Sequence, residues 1–332
     1  MPEDRDGASA PTVSVVIACF NGQETLGDQL AALVRQDDPP PFEVIVADNG
    51  STDGSAAVAR RFGDRLDLRV IDASEVKGPG HARNRGVAQA RAELIAFCDA
   101  DDIVADDWLR QMTVALAQDD FVAGRVDVEL LNTSRVRRTR AMRQTDGLQR
   151  SGTAGGMPHA GAGNMGLTRQ VFLGVDGFDE GLRCLQDSDL CWRIQLAGTP
   201  LAYHRDVLLH TRLRSTLRTM ARQGWLYGRS YAQLESRYSQ AGDATPSTTE
   251  QPARSRLGAA GTLARVLRDA GAGGLVWQIA WHLGHRRATR RFRDEGPPPL
   301  VSCLRSEVVD VREPQTPGTP GRTHPLASGG PR

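Results

Sequence analysis

The sequence predicts an α/β fold, a mostly parallel sheet flanked by helices, with a helical extension toward the C-terminus. Three observations carry that reading. Short apolar, β-branched runs alternate with segments of helical spacing between residues 12 and 104, the pattern of successive β-α-β units. Each run stops abruptly in a polar or acidic turn, as strands buried on both faces do. From Ala241 the composition shifts to Ala, Gly, Ser, Thr and Pro, a linker, before one or two further helices within 256–293.

The elements follow in order. Thr12–Cys19 (TVSVVIAC) is a buried strand ending at Phe20-Asn21-Gly22. Leu26, Leu30 and Leu33 recur at helical spacing up to the break at Pro39-Pro40-Pro41. Phe42–Ala47 (FEVIVA) is the second strand, and Asp48-Asn49-Gly50 turns the chain so that Ser51, Thr52 or Asp53 caps the next helix. Leu68–Ile71 is a short third strand. Lys77-Gly78-Pro79-Gly80 opens a helix that carries His81, Arg83, Asn84 and Arg85. The fourth strand, Leu94–Cys98, runs into Asp99-Ala100-Asp101-Asp102.

Beyond a helix at Trp108–Ala117 the pattern loosens. Phe121–Leu131 alternates apolar and polar residues, which predicts an antiparallel or edge strand. Arg135–Arg150 is basic and unpatterned, a mobile loop, and Gly152–Gly166 is glycine-rich, a backbone able to approach a ligand. Leu185-Gln186-Asp187-Ser188-Asp189 opens a helix through Gln195, Leu201–Leu209 is a strand ending at His210, and Leu217–Tyr238 is an amphipathic helix. The tail from 296 to 332 is rich in Pro and Gly and reads as disordered, as does the polar segment 1–11.

Three carboxylates within four residues, Asp99, Asp101 and Asp102, repel one another unless solvent, caps or a cation offset them. Two readings stay open for this segment. It is an acidic turn that caps the helix from Asp107, or it supplies paired hard oxygen ligands for Mg²⁺ or Mn²⁺ carrying a diphosphate. In parallel sheets ligands bind beyond the carboxyl ends of the strands. Phe20, Asn21, Asp48 and Asp99–Asp101 all lie there, and that convergence favours the ligand reading.

Bulk properties exclude several classes. Lys and Arg number 41 against 40 Asp and Glu, a balance with no general attraction to nucleic acid or anionic lipid. The opening MPEDRDGASAPT lacks the apolar core of a secretory signal. No apolar run reaches the roughly 18–20 residues a spanning helix needs. Five scattered cysteines without a CxxC pair argue against a zinc site or disulfide framework and for a cytoplasmic protein.

Four stretches now stand in order: VSVVIACFN, VIVADNGSTDGS, GPGHARNRGVAQARAELIAFCDADD and GFDEGLRCLQDSDLCWRIQLAG. Together they resemble inverting nucleotide-sugar glycosyltransferases of family 2, which have the GT-A fold with a Rossmann-like sheet, over roughly residues 12–235. The resemblance implies that 12–104 holds the nucleotide, that 105–240 shapes the acceptor side, and that 241–295 is linker and helical extension. It implies metal ligation by Asp101 and by Asp99 (which alternatively meets the ribose), and a further metal or diphosphate ligand at His210. It places Asp48 against the pyrimidine ring, Phe20 and Asn21 beside the base, and Arg83 and Asn84 near the nucleotide. Asp187 is the implied base; the family's usual Glu before it is Gln186 here. Each has a structural counterpart: core packing for Phe20, a solvated helix face for Arg83, helix-start acids favoured by the macrodipole for Asp187 and Asp189, and a structural His210.

The implied activity is transfer of a sugar from a UDP- or dTDP-sugar, with Mg²⁺ or Mn²⁺, to a hydroxyl of a saccharide, lipid-linked or small-molecule acceptor. Two other classes compete. A nucleotidyltransferase needs a Gly-rich, Lys/Arg-bearing loop after the first strand, and FNGQETL offers none. A catalytically silent sugar-nucleotide binder or scaffold finds its hint in Gln186. The Trp-bearing, apolar-then-basic segment 274–293 either packs on the domain or makes a peripheral contact with the inner face of a membrane.

Overall fold

Apolar runs as short as those of residues 13–19, 42–48 and 94–99 become strands because two neighbours can bury both of their faces at once. The structure, a computed structural model, describes residues 10–139, 144–238, 259–296, 298–302 and 304. Its strands are β1 (Val13–Cys19), β2 (Phe42–Asp48), β3 (Leu68–Asp72), β4 (Leu94–Asp99), β5 (Ile103–Val104), β6 (Phe121–Asp127), β7 (Gln149–Arg150), β8 (Pro158–His159), β9 (Asn164–Thr168) and β10 (Ala202–His210). The helices are α1 (Leu26–Val34), α2 (Ser55–Arg60), α3 (Pro79–Ala88), α4 (Trp108–Leu116), α5 (Ser134–Arg137), α6 (Arg169–Gly174), α7 (Gln186–Leu196), α8 (Leu217–Tyr238) and α9 (Ala259–Glu295).

Among the described residues the main sheet has eight strands in the order β3-β2-β1-β4-β9-β6-β10-β5. The β3-β2-β1-β4 half is parallel throughout, with Val15 opposite Val44 and Ala96. Strand β9 enters antiparallel between β4 and β6, β10 runs parallel to β6, and β5 closes the far edge antiparallel to β10. One face is packed by Leu26, Leu30 and Leu33 of α1 with Trp108, Leu109 and Met112 of α4. The other face is packed by Val87 of α3, Phe172 of α6, and Leu190 and Ile194 of α7.

The parallel half matches the sequence-based expectation; four segments differ. Phe121–Leu131, expected as an antiparallel or edge strand, pairs antiparallel with β9 but is not at an edge: β6 ends at Asp127 and lies inside the sheet between β9 and β10. The glycine-rich 152–166 stretch leads straight into the central strand β9. Its Gly166 is there for packing, since a Cβ would stand 2.4 Å from Met112 Sδ of α4. In 135–150, α5 and β7 are formed and Gln144 is buried, donating to the Gly124 carbonyl and accepting from the Gly161 amide; residues 140–143 lie outside the described set. The tail read as disordered from 296 docks where it is described. The Val301 carbonyl accepts from the Glu180 amide and its amide donates to Asp179 Oδ1, and Leu304 is buried beside Gly177. Residues 1–9, 239–258 and 305–332 are outside the described set.

Helix α9, broken at Gly271 (φ 64°), packs along α8 in the same direction. Met220 meets Gly273, Gly224 meets the Trp277 carbonyl, and Gly228 meets the Trp281 carbonyl. The segment 274–293 therefore packs on the domain through its Trp-bearing face.

Candidate active site

The acidic cluster is built by β4. Residues up to Cys98 are sealed in the sheet, so the chain leaves it with Asp99, Asp101 and Asp102 at the carboxyl rim. The three carboxylates offer oxygens that all lie within 4.8 Å of one another. Asp102 is buried and accepts from Thr211 Oγ1 and the Arg212 amide, each at 2.8 Å. Asp101 faces Arg214 Nη1 at 3.0 Å, and Asp99 accepts from Arg83 Nη2 at 2.6 Å. Burial, with the charges of Asp99 and Asp101, drives the Asp102 carboxyl well above the usual carboxylate range. Burial and Asp99 push Asp101 up, against Arg214. Three converging carboxylates with only hard oxygen donors fit Mg²⁺ or Mn²⁺. The backbone leaves room beside it: a Cβ on Gly163 would stand 2.9 Å from Asp99 Oδ2.

Arg83 and Asn84 both lie on α3, which a glycine brings close to the sheet: a Cβ on Gly86 would stand 2.3 Å from Val16 Cγ1. The Arg83 side chain is buried under the rim, stacked over the Phe178 ring at 5.4 Å. Beyond its bond to Asp99, its Nε and Nη1 atoms are buried without a hydrogen-bond partner among the described residues. Two orphaned cationic donors beside a metal-competent cluster are what a diphosphate would satisfy. Asn84 takes another place. Its amide is fully buried, accepting from the Phe178 amide and donating to the Phe178 carbonyl and Glu180 Oε1. It fastens α3 to the 178–180 segment behind the rim, which corrects the expectation that it meets the nucleotide.

At the ends of β1 and β2, Phe20 stands 55% exposed, so core packing does not explain it. Asn21 accepts from the Thr52 amide, and Asp48 Oδ1 accepts from the Ser51 amide at 2.9 Å, so both pin the 50–53 turn. Asp48 Oδ2 has no partner among the described residues. The N-cap of α2 is Gly54 with no side-chain cap, a correction to the expectation of Ser51, Thr52 or Asp53 there; Asp53, one residue earlier, accepts from the Ser55 and Gln23 amides. Lys77, unforeseen in the sequence, hangs its Nζ over Phe20 at 5.6 Å and donates to the Asn49 and Gly50 carbonyls.

Across the rim Asp187 sits in the first turn of α7, half-buried, its Oδ2 3.4 Å from the Ala162 amide and Oδ1 2.9 Å from the Ser188 amide. Burial raises its pKa, and Arg83 pulls the other way. Asp189, two residues on, is wholly structural. It is fully buried and bound by Arg193 Nε, Arg237 Nη1 and Tyr238 Oη. His159 lies alongside, its Nδ1 3.0 Å from Ser188 Oγ and its ring against Trp192. His210 ends β10 next to the cluster but turns its Nδ1 to Asp127 Oδ2 at 2.9 Å, outside the group formed by the three acids. Asp127, Arg237 and Lys77 had no sequence signal, because tertiary pairing alone gives them their places.

Residues 14–174 match the family model described as glycosyl transferase family 2. Glycosyltransferase AglE of Haloferax volcanii is 35% identical over 124 residues, 36% of this chain and 41% of that protein. The pre-mycofactocin glycosyltransferase of Mycobacterium tuberculosis is 30% identical over 253 residues, 71% of this chain and 50% of that protein. The chain thus spans half or less of these relatives' lengths. Among solved structures, the mannosyltransferase PcManGT of Pyrobaculum calidifontis, in complex with GDP-Man and Mn²⁺, superposes with a TM-score of 0.56 at 20% identity, covering 91% of this chain and 79% of that one. The likeness is one of fold, the GT-A fold.

Proposed function

We propose, from the premise that residues 14–174 belong to glycosyl transferase family 2, that the chain moves a sugar from a UDP- or dTDP-sugar to an acceptor hydroxyl, inverting the anomeric centre. The observation that carries this reading is the meeting, at one rim, of the Asp99–Asp101–Asp102 cluster, the orphaned donors of Arg83 and the raised carboxyl of Asp187.

Asp99 and Asp101 would hold the divalent cation, Mg²⁺ or Mn²⁺, with Asp102 locked behind them by Thr211 and Arg212. A cation held there would supply positive charge to a departing diphosphate. Arg83 donates its free N–H groups to diphosphate oxygens, and His210, oriented by Asp127, offers its other nitrogen from the β10 side. Asp48 accepts from the imide N–H of a pyrimidine, a group that uracil and thymine share. Phe20 gives the base a flat apolar face, with Asn21 fixing the turn beneath and Lys77 beside it.

Inversion needs one displacement. Asp187 takes the acceptor hydroxyl's proton while that oxygen attacks the anomeric carbon and the bond to the diphosphate oxygen breaks. Burial raises the pKa of Asp187 and so strengthens it as a base, while the charge of Arg83 opposes that rise. The acceptor is the hydroxyl of a saccharide, a lipid-linked saccharide or a small molecule.

A second reading, a silent sugar-nucleotide binder, draws on Gln186, whose buried Oε1 has no hydrogen-bond partner among the described residues, where the family usually places Glu. Thermal-shift measurements with a panel of nucleoside diphosphates, with and without Mn²⁺, test the site on the wild type and Asp101→Ala. Mn²⁺-dependent stabilisation by UDP or dTDP, lost in the variant, is expected. Stabilisation by no nucleotide overturns the donor site. Binding with no release of nucleoside diphosphate from any sugar nucleotide leaves the silent binder.

A further inference from the structure

The inward face of α9 is spent on α8, through Gly273, Trp277, Trp281 and Gly284. Its outward face has no such duty. Ile279 and Leu283 stand there 50% and 53% exposed. One turn on, the same stripe becomes cationic with Arg286, Arg290 and Arg293, all exposed, and Arg287 beside them. None of these four arginines forms an ion pair among the described residues, whereas the neighbouring Arg291 is held by Glu295. His285, Arg286, Thr289, Arg290 and Arg293 line a shallow cleft along this flank.

We propose that the outward face of α9 is a docking surface for an anionic phospholipid membrane. The two halves of the stripe ask for different partners, and a lipid surface supplies both: Ile279 and Leu283 enter the acyl boundary while the arginines meet headgroup phosphates. A second copy of the chain fits poorly. Pairing these helices in parallel sets arginine against arginine, and pairing them antiparallel buries arginines on Ile279 and Leu283 without a counter-charge. Nucleic acid satisfies the arginines alone and leaves the apolar half in water. A chain with 41 basic and 40 acidic residues has no global pull on a membrane, so this stripe must supply it. The proposal does not depend on the reaction proposed above.

The test is co-sedimentation of the full chain with phosphatidylcholine vesicles and with mixed phosphatidylcholine–phosphatidylglycerol vesicles. Two multiple variants accompany it, Arg286→Ala/Arg290→Ala/Arg293→Ala and Ile279→Asp/Leu283→Asp. All these side chains are solvent-facing, and an unchanged unfolding midpoint confirms the fold. The wild type is expected to pellet with the mixed vesicles only, and less so as salt rises. Each arginine removed weakens partition about fivefold, the triple variant about a hundredfold. Three results overturn the proposal: a wild type that stays in the supernatant with both vesicles, variants that pellet as the wild type does, and a stable dimer that the variants dissociate.

Discussion

Arg237, in the last turn of α8, grips Asp189 through Nη1 at 2.8 Å and with Nη2 reaches Asp179 at 2.7 Å. Both carboxylates have no exposed surface, and both flank the segment that presents Asp187. Arg237→Met leaves two buried anions short of a partner, and a loss of about 3–5 kcal/mol is expected from urea unfolding. Arg237→Lys brings a point charge without the fork and recovers part of that loss.

Arg83 is the single most informative position for the donor site. Arg83→Met keeps the stem over Phe178 and removes every N–H. Charge-assisted hydrogen bonds of this kind are worth about 1.5–3 kcal/mol, so UDP or dTDP binding by calorimetry is expected to weaken by one to two orders of magnitude. Unchanged affinity counts against the diphosphate assignment.

The pH dependence follows from Asp187. Burial raises its pKa above the ordinary value of 3.8, and a base works only when deprotonated. The acid limb of kcat/KM is therefore expected above that value, with activity lost as pH falls through it. Asp187→Asn removes the limb together with about 10²–10⁴ of the rate. Gln186→Glu restores a neighbouring charge and moves the limb to higher pH.

Glu43, fully buried at the opposite end of β2, works with the opposite sign. Burial pushes its carboxyl up, but Ser14, the Arg91 amide and Arg69 outweigh it, so the pKa falls below 4.5. Its contribution is complete above 4.5 and is lost as pH drops through the folded value. Glu43→Gln is expected to lower the urea midpoint at neutral pH and to flatten the decline on acidification.

Gly228 of α8 tests the helix pair. In an isolated helix Gly→Ala gains about 1 kcal/mol. Here a Cβ would stand 2.0 Å from the Trp281 carbonyl, so Gly228→Ala is expected to lower the melting temperature and to speed proteolysis within α9.

The parallel half of the fold was legible because apolar runs, caps and acidic stops all agreed with one another. Strand β9 was not. NMGLT has neither alternation nor a β-branched run, and its glycine serves close packing against α4. Leu304 lies in a Pro-rich tail whose apolar residues follow no helix or strand period, so nothing announces that it joins the cluster of Phe172. Within the site, Asp99, Asp101 and Asp187 were legible as charges that need a reason. Asn84 read as a ligand contact because its spacing beside Arg83 does not reveal that its amide turns inward to Phe178. Lys77, Asp127 and Arg237 acquire their partners only once distant segments meet.

The fastening of the Asp187 segment by Arg237 and by Val301 also bears on the order in which a ribosome delivers this protein. Synthesis runs from the N-terminus, and every residue of the rim up to Asp101 is made early. The groups that lock the base in place are among the last of the described residues to appear. A nascent chain thus carries the residues proposed for the donor before those that hold the proposed base, and the Asp187 segment is the last part of this rim to receive its fastenings.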